Sequence, residues 1–170
     1  MKYIAFTGPE STGKTTLAAQ LAEEFCSIWV PEYARGYLED LGNKNYSEED
    51  LLNILEGQLS SMEIARTADT PFVFFDTECL VLKIWFEDKF GYSNQAIEKA
   101  WKEQDMDLYV LCDTDVSWTY DPLRENPDDR DRLLELYKKE LDAADKKYLL
   151  LSGSEDERLD AMTALLMKFT

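Results

Sequence analysis

Eight residues near the start of the chain constrain it most: Gly8-Pro9-Glu10-Ser11-Thr12-Gly13-Lys14-Thr15. They fit the phosphate-binding pattern G-x-x-x-x-G-K-[ST] with no mismatch, and the flanks supply the setting that the pattern requires. Tyr3 to Phe6 is a short apolar run that reads as a buried strand. From Thr16 to Phe25 apolar residues return at helical spacing, with Leu17, Leu21 and Phe25 on one side and Ala18 and Ala22 beside them. Gly8 and Gly13 permit backbone conformations that a Cβ obstructs. The loop's N–H groups can then converge on a phosphate at the positive end of the helix dipole. In such a loop Gly8 and the residues from Glu10 to Thr16 surround the phosphates. Lys14 reaches the β- and γ-phosphates, and the Thr15 hydroxyl ligates Mg2+. The plain alternative is a strand-turn-helix that fits by accident.

Four more apolar runs read as strands: Ser27 to Val30, Phe72 to Phe75, Leu108 to Cys112 and Tyr148 to Leu151. Helical spacing lies between them. Ser47 to about Arg66 carries a stripe of Leu51, Leu55, Leu59 and Met62, and Ser47 with Asp50 reads as its cap. Leu80 to Glu87 is helical, Asn94 to Gln104 reads as a polar helix, and Leu133, Leu134 and Tyr137 mark an apolar helix face. Ser154 and Glu157 form a capping box before a last helix with Leu159, Met162, Leu166 and Phe169. Strand and helix alternate, which predicts an α/β fold: a three-layer P-loop NTPase of the nucleoside/nucleotide kinase-like kind, with a parallel sheet of about five strands and helices on both faces. Residues 1–170 are expected to form a single such domain.

Ligands of an open α/β sheet bind at the carboxyl edge of its strands, and two acids stand there. Asp76 follows the run Phe72 to Phe75, the Walker B arrangement that places an acid near Thr15 and the metal. Glu32 follows Val30-Pro31, where it either takes a proton from a hydroxyl or serves a helix dipole. Arg35 is placed to contact a phosphate or to pair with Glu32. Tyr33, Trp85 and Trp118 are candidate walls for a flat base, although core packing is the commoner use of such residues. The segment near 115–132 holds Arg124, Arg130 and Arg132 among many aspartates. Arginines in such a segment can close over transferring phosphates as a lid. The alternative is surface pairing, and Arg132 fits that role best.

Composition excludes several function classes. The net charge is −17, from 35 acidic and 18 basic residues, which disfavours nucleic acid or an anionic membrane as partner. A nucleotide is itself an anion, so its attraction must be local: loop amides, Lys14, Mg2+ and a few placed arginines. There is no histidine, which removes Ser-His-Asp and Cys-His catalysis. The three cysteines, Cys26, Cys79 and Cys112, form no C-x-x-C pair, so a zinc site is not expected. An odd cysteine count and the lack of a signal peptide suggest a reduced, cytoplasmic setting. No apolar run approaches the roughly 20 residues of a membrane span.

Four segments together carry a resemblance: Gly8 to Thr15, Glu32-Tyr33 with Arg35, Asp76-Thr77-Glu78, and Trp118 through Asp121 to Leu123-Arg124. Their order and spacing resemble the nicotinamide-riboside kinase domain of NadR-type proteins over nearly the whole chain. Bifunctional NadR-type proteins carry further domains, for which this chain has no room. The resemblance implies MgATP as phosphoryl donor and the 5′-hydroxyl of a nucleoside-like small molecule as acceptor, nicotinamide riboside first. Lys14 and the loop hold ATP, Thr15 and Asp76 serve Mg2+, and Arg124 and Arg130 neutralise developing charge. Either Glu32 or Asp76 orients or deprotonates the hydroxyl. The alternatives are another nucleoside or nucleotide kinase, and a nucleotide-operated switch with a protein partner.

Overall fold

Apolar side chains on both faces of a strand demand cover on both sides of the sheet. The structure, a computed structural model that describes residues 1–42, 45–121, 123 and 128–169, supplies it. Along these residues run β1 (Lys2–Thr7), α1 (Lys14–Glu24), β2 (Ile28–Val30), α2 (Tyr33–Leu41), α3 (Glu48–Ala65) and β3 (Phe72–Asp76). They are followed by α4 (Cys79–Phe90), α5 (Gln95–Glu103), β4 (Leu108–Cys112), α6 (Arg130–Ala143), β5 (Tyr148–Leu151) and α7 (Glu155–Leu166). The five strands form one parallel sheet in the order β2-β3-β1-β4-β5.

Alternation along each strand sorts the core into two layers. Ile4, Phe6, Phe72, Phe74, Val110 and Cys112 face α1 and α7. Ala5, Val73, Phe75, Tyr109 and Leu111 face the larger layer that includes α3, α4, α5 and α6. The chain order reverses beside β1: β2 and β3 lie on one side of it, β4 and β5 on the other. Such a switch point opens a crevice beyond the strand ends, and the glycine-bearing loop leaves β1 at that place.

Three helix patterns differ from expectation. The α3 stripe is buried through Leu51, Ile54, Leu55, Gln58, Met62 and Ala65, whereas Leu59 is exposed. The stripe keeps to i+3 and i+4 steps, so the polar Gln58 occupies the inward position. The helix read as polar, α5, is amphipathic: Ile97 and Trp101 are buried, four residues apart. Phe169 lies beyond the end of α7 and is exposed, so the stripe of that helix stops at Leu166. Caps at Ser47 and Ser154 form both halves of a capping box.

Trp101 stands edge-on to Tyr109 at 5.5 Å and anchors α5 to the sheet. Trp101→Ala is expected to cost about 3–5 kcal/mol, the range for deleting a large buried aromatic. Urea unfolding checks this: the midpoint falls and the slope holds.

Candidate functional site

β1 ends at Thr7, and the chain turns at Gly8 with φ +125. A Cβ there would stand 2.8 Å from the Cys112 carbonyl oxygen of β4, so both the conformation and the approach require glycine. Gly13, with φ +80, opens α1. Side-chain cations hold the loop's carbonyl oxygens. Lys14 Nζ donates to Gly8 O (2.9 Å) and Pro9 O (2.6 Å). Arg130 donates to Ser11 O (3.0 Å), and Arg158 to Thr12 O (2.7 Å). The Ser11 hydroxyl also accepts the Thr119 N–H at 2.8 Å. With those carbonyls neutralised, the loop favours an anion at the start of α1.

The β1–β3 register pairs Phe6 with Asp76 and so carries that acid to the same edge. Thr15 Oγ1 donates to Asp76 Oδ2 at 2.6 Å. Asp76 is 1% exposed, and its Oδ1 has no partner. Burial pushes its carboxyl above the usual aspartate range, and the Thr15 hydroxyl and the charges of Lys14 and Arg35 pull it back only in part. An orphaned, buried carboxylate oxygen next to a hydroxyl is a hard-oxygen donor set that fits Mg2+, an ion that keeps few protein ligands and takes the rest from water and phosphate. One residue on, Thr77 has φ +69, uncommon for a β-branched residue, and Glu78 caps α4. Glu78 is fully buried and accepts from Thr7 Oγ1, Leu80 N and Gln104 Nε2.

In front of the loop lies a cavity of about 210 Å3. It is lined by Gly8 to Thr16 and by Glu32, Arg35, Trp85, Tyr137 and apolar residues of α2, α4 and α6. β2 delivers Glu32, which lines the cavity at the start of α2. Arg35 lines it too, but its partners are Asp121 (2.9 Å) and Glu39 (3.8 Å). Trp85 is fixed by its Nε1–H donating to the Tyr46 hydroxyl at 2.6 Å.

Of the three expected aromatic walls, only Trp85 lines this cavity. Tyr33 packs its ring on Gly57 of α3 so closely that a Cβ at Gly57 would lie 2.1 Å from it, and its N–H donates to Gln58 Oε1. Trp118 pairs edge-on with Tyr120. Among the arginines, Arg132 binds Asp88 and Asp129, as surface pairing requires. Arg124 lies outside the described residues.

Residues 3–158 match a family described as an AAA domain. The chain belongs to that family. Membership in the AAA-domain family fixes the P-loop architecture and leaves the reaction to the site. The chain is 27% identical over 129 residues to the trifunctional NAD biosynthesis/regulator protein NadR of Escherichia coli (strain K12), which covers 73% of this chain and 31% of that protein. Salmonella typhimurium NadR gives 26% over the same length and shares. The chain thus spans about a third of the curated relatives it matches. A NadR protein in complex with NR superposes with a TM-score of 0.79 at 22% identity, covering 99% of this chain and 51% of that one. A deoxyadenosine kinase from M. mycoides gives 0.70 at 14% identity, covering 98% and 99%. The sequence resemblance to NadR-type proteins and the expected P-loop fold are both borne out.

Sequence reasoning passed over Arg158. It is 3% exposed and ties Thr12 O, Gly153 O and Asp113 O together beside Asp115. Its signal was available: Arg158, Met162 and Leu166 follow at i, i+4 and i+8 on the buried face of α7. Tyr137, read only as helix core, lines the cavity.

Asp76 also sets a pH dependence. Its folded-state pKa is raised, so its contribution to stability is complete below the unfolded value, near 3.8, and is lost as pH climbs to the folded value. Asp76→Asn removes that burden. The substituted protein, free of nucleotide, is expected to be more stable than the parent at pH 7, with the gain shrinking below about pH 4. Urea midpoints at the two pH values measure it; a gain equal at both would show that charge burial is not the cause.

Proposed function

We propose that this protein transfers the γ-phosphoryl group of ATP to the 5′-hydroxyl of a ribonucleoside, nicotinamide riboside before others. The observation that carries the reading is one cavity lined both by a phosphate loop and, from other elements, by an acid, an indole and a phenol. A nucleotide switch has no need of that second group. The chain's similarity to NadR of Escherichia coli supports the choice of acceptor. So does charge: away from the phosphate loop, Glu32 lines the cavity. That carboxylate and the indole of Trp85 suit a cationic pyridinium ring better than a neutral base.

The hydroxyl oxygen attacks the γ-phosphorus as the bond to the β-phosphate oxygen breaks, and ADP leaves. Glu32 takes the hydroxyl proton, because it lines the cavity whereas Asp76 lies behind Thr15, bonded to its hydroxyl. Lys14 exchanges its contacts with Gly8 O and Pro9 O for phosphate oxygens. Thr15 and Asp76 would hold Mg2+, which would supply positive charge beside the β- and γ-phosphates. Arg130, in the lid segment, adds charge where it develops, and Arg124 is assigned the same role from sequence.

Purified protein with MgATP and a panel of nucleosides, read for ADP and phosphorylated product, tests the reaction. ADP without any phosphorylated nucleoside would point to the switch instead. Lys14→Ala is expected to lower turnover by orders of magnitude while the fold holds. Glu32→Gln is expected to lower kcat strongly without altering the Mg2+ dependence, whereas Asp76→Asn shifts that dependence. If neither acid affects turnover, both roles are misassigned.

The arginines separate by partner. Arg130→Ala is expected to reduce turnover at least tenfold, about 1.4 kcal/mol of barrier. Arg132→Ala changes it little, since exposed pairs with aspartate contribute about 0–1 kcal/mol. Equal small effects at both would make the segment a solvated loop.

A further inference from the structure

The cavity has an extension that the phosphate chemistry does not use. Behind Glu32, Ala34, Thr77, Val81 and Trp85, all shared with the main cavity, a recess enters the core between α2, α3 and α4. Its volume is about 20 Å3. A single water needs about 10–15 Å3, so the recess admits one small group at most. Its walls are apolar through Ile54, Leu55 and Leu82, and Gln58 supplies a polar group from α3.

Gln58 is 5% exposed, and its Nε2 is buried with no hydrogen-bond partner. The direction of its amide is fixed by chemistry. The Tyr33 N–H is a donor, so the group 3.1 Å from it must be the carbonyl oxygen of Gln58. The NH2 is then the half left over. A buried donor without an acceptor is costly, and apolar residues at this stripe position would avoid the cost.

We propose that Gln58 is a specificity-determining residue, whose NH2 group donates to an exocyclic carbonyl oxygen on the flat ring of the acceptor. This rests on the kinase reading above and deepens it: the substrate class becomes nucleosides whose ring bears a carbonyl-type acceptor at the edge that enters the recess. The ring stands against Trp85, the ribose faces Glu32, and the carbonyl fills the space before Gln58. An analogue without that oxygen leaves the donor unsatisfied, and sites built to hydrogen-bond a substrate group discriminate strongly on that account.

The test compares two acceptors on the intact chain with MgATP: nicotinamide riboside and its 3-methylpyridinium riboside analogue, in which a methyl replaces the carboxamide. The parent is expected to favour the carboxamide compound at least tenfold in kcat/KM. Gln58→Met and Gln58→Asn, which remove or withdraw the donor, are expected to bring that ratio to within about threefold of unity, with the affinity for ATP unchanged. Because the ratio is taken within each variant, a general loss of folded protein lowers both rates and leaves the ratio at the parent's value. A parent without preference, or variants that keep it, overturns the role of Gln58 while the kinase reading stands. No phosphorylated product from the parent with any nucleoside overturns both.

Discussion

The hydrogen bond from Thr15 to Asp76 joins the two halves on which the site depends. One partner belongs to the helix that follows β1 and the other to the end of β3, so the bond requires the parallel register that pairs Phe6 with Asp76. Without that register the phosphate loop would still be a loop, but no acid would stand behind it. The bond leaves one carboxylate oxygen buried and unpartnered, a cost that hydrophobic packing on both faces of the sheet must offset. The core does this with strands whose residues are aromatic and branched on both sides. Stability is thus spent at the sheet edge, where an incomplete polar set can be completed by an ion and a phosphate.

In a chain of net charge −17, three cations gather at the phosphate loop. Lys14, Arg130 and Arg158 all bind carbonyl oxygens of the phosphate loop. Elsewhere cations serve to join helices: Lys83 is buried and meets Glu87, Glu98 and Glu140, and so links α4, α5 and α6. The distribution resolves the conflict between an acidic protein and an anionic ligand. Long-range repulsion is screened within about 8 Å at physiological salt, so the groups in direct reach decide, and at the loop Lys14, Arg130 and Arg158 outnumber the one carboxylate, Glu10.

The five strands, the phosphate loop, Asp76 and the place of Glu32 were legible because each rests on a local signal: an apolar run, a glycine spacing, an acid at a strand end. What escaped were polar residues on buried faces. Gln58 sits on the α3 stripe where Leu59 was expected, and Arg158 on the α7 stripe. A hydropathy pattern treats such residues as interruptions, yet their burial is what marks them, and burial comes from packing that no single helix reveals. Tyr33 escaped for another reason. Sequence placed it correctly after β2, but the direction of its ring depends on Gly57, twenty-four positions away, which leaves the space that the ring fills. Trp101 made a helix of mostly polar composition into a core element, because one large buried aromatic outweighs several solvated lysines and glutamates.

The segment after β4 touches both the phosphate loop and α2. Thr119 and Arg130 hold Ser11 of the phosphate loop, while Asp121 holds Arg35 of α2. Any nucleotide that claims the loop changes the surroundings of Ser11, and any acceptor placed before Glu32 changes those of Arg35, three residues on. Both events therefore bear on the same stretch of chain. A segment held by contacts at two sites is a physical route for coupling between them, and that coupling must be reciprocal for the binding equilibria. In the proposed reaction such a link has a use: contacts at Ser11 and at Arg35 would let the binding of donor and acceptor favour one another, so that both are in place before the phosphoryl group moves.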